Sequence, residues 1–247
     1  MSQSLARALS ILVSLGEQPH SLDELAEQLG VHKTTVLRLL RTLQDEHFVH
    51  RDGGHRFHLG SRLFALAGAA LEEREVRAVA APHLARLNQT TGQTVHLGVH
   101  EDGIVVYLDK HESRQPIRMY SRVGLPMPLH CTAIAKVLLA DLPQAERRRT
   151  AEAIEYTRFT DRTITDSGAF LAELATVAEQ GWAMDDAEHE DFITCIAAPV
   201  RDATGRVIAA ASVSVPHVLL SREQVLALLP DLREAARRIS ADCGHQA

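Results

Sequence analysis

The chain has 247 residues, 45% hydrophobic and 23% charged, with a formal net charge of −6; it is long enough for two modest domains with their own cores, and its charge excludes a blanket cationic surface for nucleic acid. No run approaches the roughly 20 apolar residues of a membrane span, and MSQSLARALS lacks the basic start and cleavage site of a signal peptide, so a cytoplasmic location and no membrane partner are expected. Cys131, Cys195 and Cys243 form no CxxC or CxxH pair, and an odd count argues against a disulfide framework; they read as free thiols.

In chain order, Leu5, Ala8, Leu9, Leu12 and Val13 recur at helical spacing and predict an amphipathic helix ending near Gly16. Ser21 and Glu24 have the spacing of a capping box, Leu22, Leu25, Ala26 and Leu29 form one stripe, and Gly30 stands where a helix stops. In VHKTTVLRLLRTLQ, Val36, Leu39, Leu40 and Leu43 fall on one side, opposite Thr34, Arg38, Arg41 and Asp45. FVHRDGGHRFHLG then places two short runs around Asp52-Gly53-Gly54, suited to a tight hairpin because glycine tolerates positive φ.

Two helices joined by a short turn at Gly30 and followed by a two-stranded wing have the spacing of a winged helix-turn-helix. Its second helix fits the roughly 12 Å major groove, with Thr34, Thr35 and Arg38 placed to reach base edges or phosphates, and Lys33 and Arg41 to hold backbone. On the wing, Arg51 and Arg56 position rather than specify. Residues 1–60 carry six cations against seven acids, so charge balance does not favour double-stranded DNA as partner; placement does, because five of those cations lie on the third helix and the wing. The same unit also serves protein contacts elsewhere.

From Ser61 the pattern SRLFALAGAALEEREVRAVA, charged at EEREVR, predicts a linker helix. Pro82 suits the first turn of a fresh helix closed by Gly92. The period then changes: Val95, Leu97 and Val99 alternate with a polar face of Thr94, His96, Gly98 and His100, and Glu101-Asp102-Gly103 turns into IVVYLDKHE. PIRMYSRVG is a second alternating run; 165–180 reads as a helix stopped by Gly181; WAMDD, FITCIAAPV and RVIAAASVSVP read as strands; Ser221 and Gln224 cap a final helix. Hairpin strands with helices gathered elsewhere make an α+β fold, an antiparallel sheet with packed helices.

Between these lies PLHCTAIAKVLLA. If CTAIAKVLLA is a helix, its first turn presents free backbone N–H groups and a positive dipole end, with the small Ala133 and Ala135 permitting close approach and Thr132 either capping or joining a ligand. Asp185, Cys195, and Ser212 with Ser214 are short polar groups at strand positions, the last two on one face. They describe a small-molecule pocket or, equally, exposed serines, a buried thiol and a helix cap.

With both halves read, the chain resembles the IclR family of bacterial transcriptional regulators, through LARALSILVSLGE, LAEQLGVHKTTVLRLLRTL, YSRVGLPMPLHCTAIAKVLLA and CIAAPVRDATGRVIAAASVSVP. The resemblance implies an N-terminal winged helix-turn-helix over 1–61, a linker helix over 62–77 and a GAF-like effector domain over 78–247. It implies an effector pocket of Met119, Cys131, Thr132, Ala133, Ile134, Asp185, Ile193, Cys195, Ser212 and Ser214. Many relatives carry glycine where this chain has Ala133 or Ala135. DKHESRQPIRMYSRVG is similar to sugar-acid (ketodeoxygluconate) regulators, so a small organic acid, a sugar acid by preference, is the expected effector of a DNA-binding repressor of a catabolic operon. A homodimer, or a homotetramer built as a dimer of dimers, is the expected assembly.

No cofactor is expected. An enzyme or a metal-dependent sensor using Cys131 or Cys195 is the rival reading, weakened because adjacent strand residues such as His130 and Cys131 point opposite ways, and because His96 and His100 stand about 13 Å apart on a strand, too far to share an ion.

Overall fold

In the computed structural model, residues 3–72, 75–116 and 119–246 are described; parts of EEREVR and PIRMYSRVG, at 73–74 and 117–118, lie outside them. The chain divides into two compact units, residues 1–73 and 74–247.

The first unit contains α1 (Gln3–Glu17), α2 (Leu22–Gln28), α3 (Lys33–Asp45), β1 (Val49–Arg51), β2 (Phe57–Leu59) and α4 (Arg62–Glu72). Ser21 and Glu24 form the capping box on α2, and Gly30 takes φ +61 at the turn. His32 caps α3, its Nδ1 accepting from the Thr34 N–H. Ile11, Leu25, Val36, Leu40 and Phe57 share one apolar cluster, and burying each stabilises the unit by roughly 1.5–3 kcal/mol.

Two local expectations need correcting. The stripe that α1 buries is Ile11, Ser14 and Leu15, whereas Leu5, Leu9 and Val13 are exposed; a core of three short helices can cover only one flank of α1. In the wing, the left-handed residue is His55, at φ 64, and neither Gly53 nor Gly54 has a positive φ. Asp52 organises that loop instead: its backbone N–H donates to the Arg56 carbonyl at 2.9 Å and its carboxylate accepts the Arg56 N–H at 2.9 Å.

The second unit contains α5 (Glu75–Thr91), β3 (Thr94–Glu101), β4 (Ile104–His111), β5 (Pro126–Met127), α6 (Ala133–Ala140), α7 (Gln144–Ala153), α8 (Ser167–Gln180), β6 (Ala183–Asp186), β7 (Ile193–Arg201), β8 (Val207–Pro216), α9 (Arg222–Leu226) and α10 (Leu229–Asp242). Every strand pair is antiparallel, in the order β5-β4-β3-β8-β7-β6. Asp102 and Gly103, both at positive φ, make the two-residue β3–β4 turn.

Helix α6 packs on one face of this sheet with α8 against it, and α5 with α10 contact the sheet through β3, β4, β7 and β8. The architecture is therefore α+β with helices and an antiparallel sheet, and it explains why β3 is buried from Thr94 to Gly98 on both sides. The polar alternation Thr94, His96, Gly98 does not mark a solvent face.

Pro82 lies inside α5, not in its first turn. The missing N–H leaves the Ala78 carbonyl without its helical partner, and burial of Ala80, Leu84 and Leu87 keeps the helix continuous. Met119 to Gly124 form no strand: the Lys110 ammonium takes the Met119 and Ser121 carbonyls at 3.0 and 2.6 Å, so these groups are lost to a ladder. The final helix is two helices, α9 with the Ser221–Gln224 capping box and then α10. Sequence reading gave nothing for α7.

Candidate functional site

Antiparallel register sets the site. His96 on β3 stands opposite Ser212 on β8, Ser214 opposite Cys195 on β7, and Cys195 opposite Asp185 on β6. With strands about 4.8 Å apart, these polar residues form a row across four neighbouring strands, on the face covered by α6. The row floors a small, tight cavity of about 40 Å³, narrower than a typical small-ligand pocket.

Of the ten residues expected in one pocket, nine line it: Met119, Thr132, Ala133 and Ile134 on the helix side, and Asp185, Ile193, Cys195, Ser212 and Ser214 on the sheet side. Cys131 does not; it is wholly buried. Thr132 has extended backbone, φ −116 and ψ 137, so consecutive side chains point opposite ways: Thr132 faces the cavity and Cys131 the core. Sequence reasoning missed His96, Tyr107, Ser121, Met127, His189 and Glu190, which also line it. A usable signal for His96 was its place on the strand beside the Ser212–Ser214 pair.

The N-terminus of α6 opens on this space. Thr132 makes no side-chain cap; its hydroxyl donates to the Pro128 carbonyl at 2.7 Å. The Lys136 N–H bonds the Thr132 carbonyl, while the N–H groups of Ala133, Ile134 and Ala135 precede the first intrahelical partner. The helix can approach because β3 carries Gly98 beneath it: a Cβ there would lie 2.6 Å from Ile134 Cγ2.

Among the described residues, no lysine or arginine lines the cavity. His96 is neutral, burial and then the Lys110 charge pushing its pKa down to about 3. Burial also lowers His189, with His130 adding to it. Asp185 is raised to about 7 by burial, even though the Glu188 and His189 N–H groups donate to its Oδ1 at 2.8 and 3.4 Å. Burial raises Glu190 as well. Among the described residues, an anion entering here meets helix N–H groups, the neutral His96 and the hydroxyls of Ser212 and Ser214.

Behind the wall, Lys136 of α6 is 1% exposed, and its Nζ donates to Glu188 Oε1 at 2.5 Å, to Glu173 Oε1 at 3.1 Å and to the Met184 carbonyl at 2.9 Å. Burial opposes its charge, but Glu188 and Glu173 prevail and hold its pKa above the ordinary value. The lysine thereby locks α6 to α8 and to the end of β6.

The rival chemistry finds no support. Burial, with Asp185 next, drives the Cys131 and Cys195 thiols up, the opposite of an activated thiolate. His130 Nε2 donates to the Thr157 carbonyl at 2.9 Å. Among the described residues, no three His, Cys, Asp or Glu groups are placed to hold a metal.

In the first unit, α3 buries Val36, Leu40 and Leu43 and exposes Thr34, Arg38 and Arg41, with Thr35 half-buried. Lys33 pairs with Asp23 at 2.8 Å, both exposed, a contact worth little in water. Arg51 lies over the Phe57 ring, 5.5 Å from its centroid. Arg56 is engaged: its Nη2 donates to the Pro19 carbonyl at 2.7 Å and to Glu24 at 3.0 Å, fastening the wing to α2.

Two family models match the chain: the bacterial transcriptional regulator IclR C-terminal domain over residues 68–241 and the IclR helix-turn-helix domain over 4–53. The HTH-type transcriptional regulator KdgR of Escherichia coli is 38% identical over 98% of this chain and 93% of its own length. The crystal structure of the Thermotoga maritima IclR has a TM-score of 0.82 at 29% identity, covering 99% of this chain and 100% of that one. An IclR homologue from Microbacterium hydrocarbonoxydans complexed with 4-hydroxybenzoate has a TM-score of 0.83 at 26% identity, covering 98% and 99%.

Proposed function

The chain belongs to the IclR family of bacterial transcriptional regulators, ligand-responsive DNA-binding proteins and not enzymes, and from that premise we propose what its own residues do. Residues 1–61 read a double-stranded operator, 62–77 link, and 78–247 bind the effector. Thr34, Thr35 and Arg38 meet base edges and phosphates, while Lys33, Arg41, Arg51 and, once released from Glu24, Arg56 hold the backbone. The effector is a small organic acid whose carboxylate sits on the α6 N-terminus and whose remainder lies over Asp185, Cys195, Ser212 and Ser214. One observation carries this: a cavity that ends on uncapped helix N–H groups and is floored by a hydroxyl-bearing row. The similarity to KdgR favours a sugar acid, and the 4-hydroxybenzoate of the structural neighbour is likewise a carboxylic acid.

The regulator acts in the cytoplasm as a repressor of a catabolic operon. Two copies associate through Leu5, Leu9 and Leu12 of α1, the first two exposed and the third half-buried, presenting two α3 helices about 34 Å apart to successive major grooves; two such dimers pair into a tetramer. An effector that favours another spacing by about 1–3 kcal/mol changes operator affinity roughly 5- to 150-fold.

A thermal-shift panel of sugar, keto and aromatic acids on the full chain tests the reading. At a hundred times its Kd, a bound acid stabilises the native state by about 2.7 kcal/mol, and Ser212→Ala abolishes that gain. A panel without a shift, or a shift unchanged by Ser212→Ala, removes the pocket assignment.

A further inference from the structure

His96 is the one imidazole in the row, and its two nitrogens are served unequally. Nε2 shares a proton with Ser121 Oγ at 2.8 Å, a full-strength hydrogen bond. Among the described residues, Nδ1 meets Ser214 Oγ at 3.4 Å and Ser212 Oγ at 3.5 Å, both at the outer limit of useful geometry. Yet the side chain is 2% exposed, and buried polar atoms are normally well partnered. Three polar atoms, Nδ1 and two serine oxygens, therefore face one small space with less bonding than they can make.

That space belongs to the cavity. The Tyr107 ring, 4.8 Å from the imidazole centroid, braces one side, and Ser121 holds the ring's far edge. Being neutral, the imidazole presents one donor and one acceptor whichever tautomer it takes. A hydroxyl is the matching partner, because it accepts from one member of the group and donates to another. An apolar carbon placed there leaves three polar atoms short of bonds.

We propose that His96, with Ser212 and Ser214, is the hydroxyl-reading element of the cavity, selecting hydroxylated carboxylic acids over their deoxy counterparts. This rests on the acid-effector reading above and adds a specificity-determining residue to it.

The test is calorimetric titration of the full chain with three matched pairs, gluconate with hexanoate, glycerate with propionate, and 4-hydroxybenzoate with benzoate, in the wild type, His96→Leu and His96→Asn. In the pair that binds, the hydroxylated member is expected to bind wild type roughly 10- to 100-fold more tightly. His96→Leu collapses that ratio to near one by weakening the hydroxylated member far more than the deoxy member. His96→Asn, which keeps a polar atom near the Nδ1 position, restores most of it. A role confined to packing would shift both members of the pair together. Equal binding of both members by wild type, or a ratio that survives His96→Leu, overturns the proposal and leaves the acid reading standing; binding of none of the six acids overturns both.

Discussion

The two units put the polar groups proposed to act in them in opposite settings. In the first, Arg38 and Arg41 stand exposed on a helix whose other side is packed, and every signal that placed them lies within about 40 residues. In the second, Asp185, Ser212, Ser214 and His96 are buried and come from strands separated by up to 118 residues. An exposed contact loses its partner without disturbing the fold, whereas a buried polar group has to be satisfied by the protein or by a ligand. The reader unit should therefore tolerate substitution as structure and fail as function, and the cavity unit should couple the two.

Lys136→Met is the severest way to sharpen that contrast. It leaves Glu188 buried with its counter-ion gone, and breaking such a pair costs about 3–5 kcal/mol; urea denaturation of the full chain should show it, and Lys136→Met with Glu188→Met should recover most of it. A single-variant loss below about 1 kcal/mol would mean the cluster is wet and the contrast false. Arg38→Ala is the reader's counterpart: operator affinity in a gel-shift titration is expected to fall by about 1–3 kcal/mol with an unchanged unfolding midpoint, and a shifted midpoint would break the comparison from the other side. Gly98→Ala, which drives a methyl into Ile134, should cost about 1–3 kcal/mol and weaken acid binding together, because the same contact seats α6.

The smallest effect is in pH. The Asp185 carboxyl holds its proton to about pH 7 in the fold and to about pH 4 when unfolded. Stability from this group is present below the unfolded value and declines as pH rises toward 7, because the native state binds the extra proton. An anionic ligand favours the same protonated form, so affinity for whichever acid the thermal panel selects should drop by up to about tenfold per pH unit above 7. In Asp185→Asn the curve should be flat; an equally steep curve would assign the dependence elsewhere.

Much of the fold was readable because its signals are local. Ser21 with Glu24, Gly30, Gly92, Gly181 and Asp102-Gly103 each fix a boundary through a side chain or a φ value that few alternatives supply. The site was readable where a strand's period exposes it, as at Ser212 and Ser214. His96 was lost because period two identifies a face without saying what covers it, and here both faces are covered. Lys136 was lost for a related reason: a lysine in an apolar helix reads as solvated, and Glu173 and Glu188, which make its burial tolerable, lie far along the chain. His55 shows the converse, a composition rule favouring Gly53 and Gly54 overruled by the Asp52 side chain.

The Thr132 hydroxyl is turned away to Pro128, leaving the head of α6 bare. On the acid-effector reading proposed above, what anchors an anion there is main chain, and main-chain N–H groups survive every substitution except proline. Genetic variation around this cavity can thus redraw the walls, changing which acid is welcomed, while the feature that welcomes acids at all is inherited unaltered. A selection for new inducers should accordingly return changes at His96, Met119 or Ile193 well before it returns a response to compounds that are not acids.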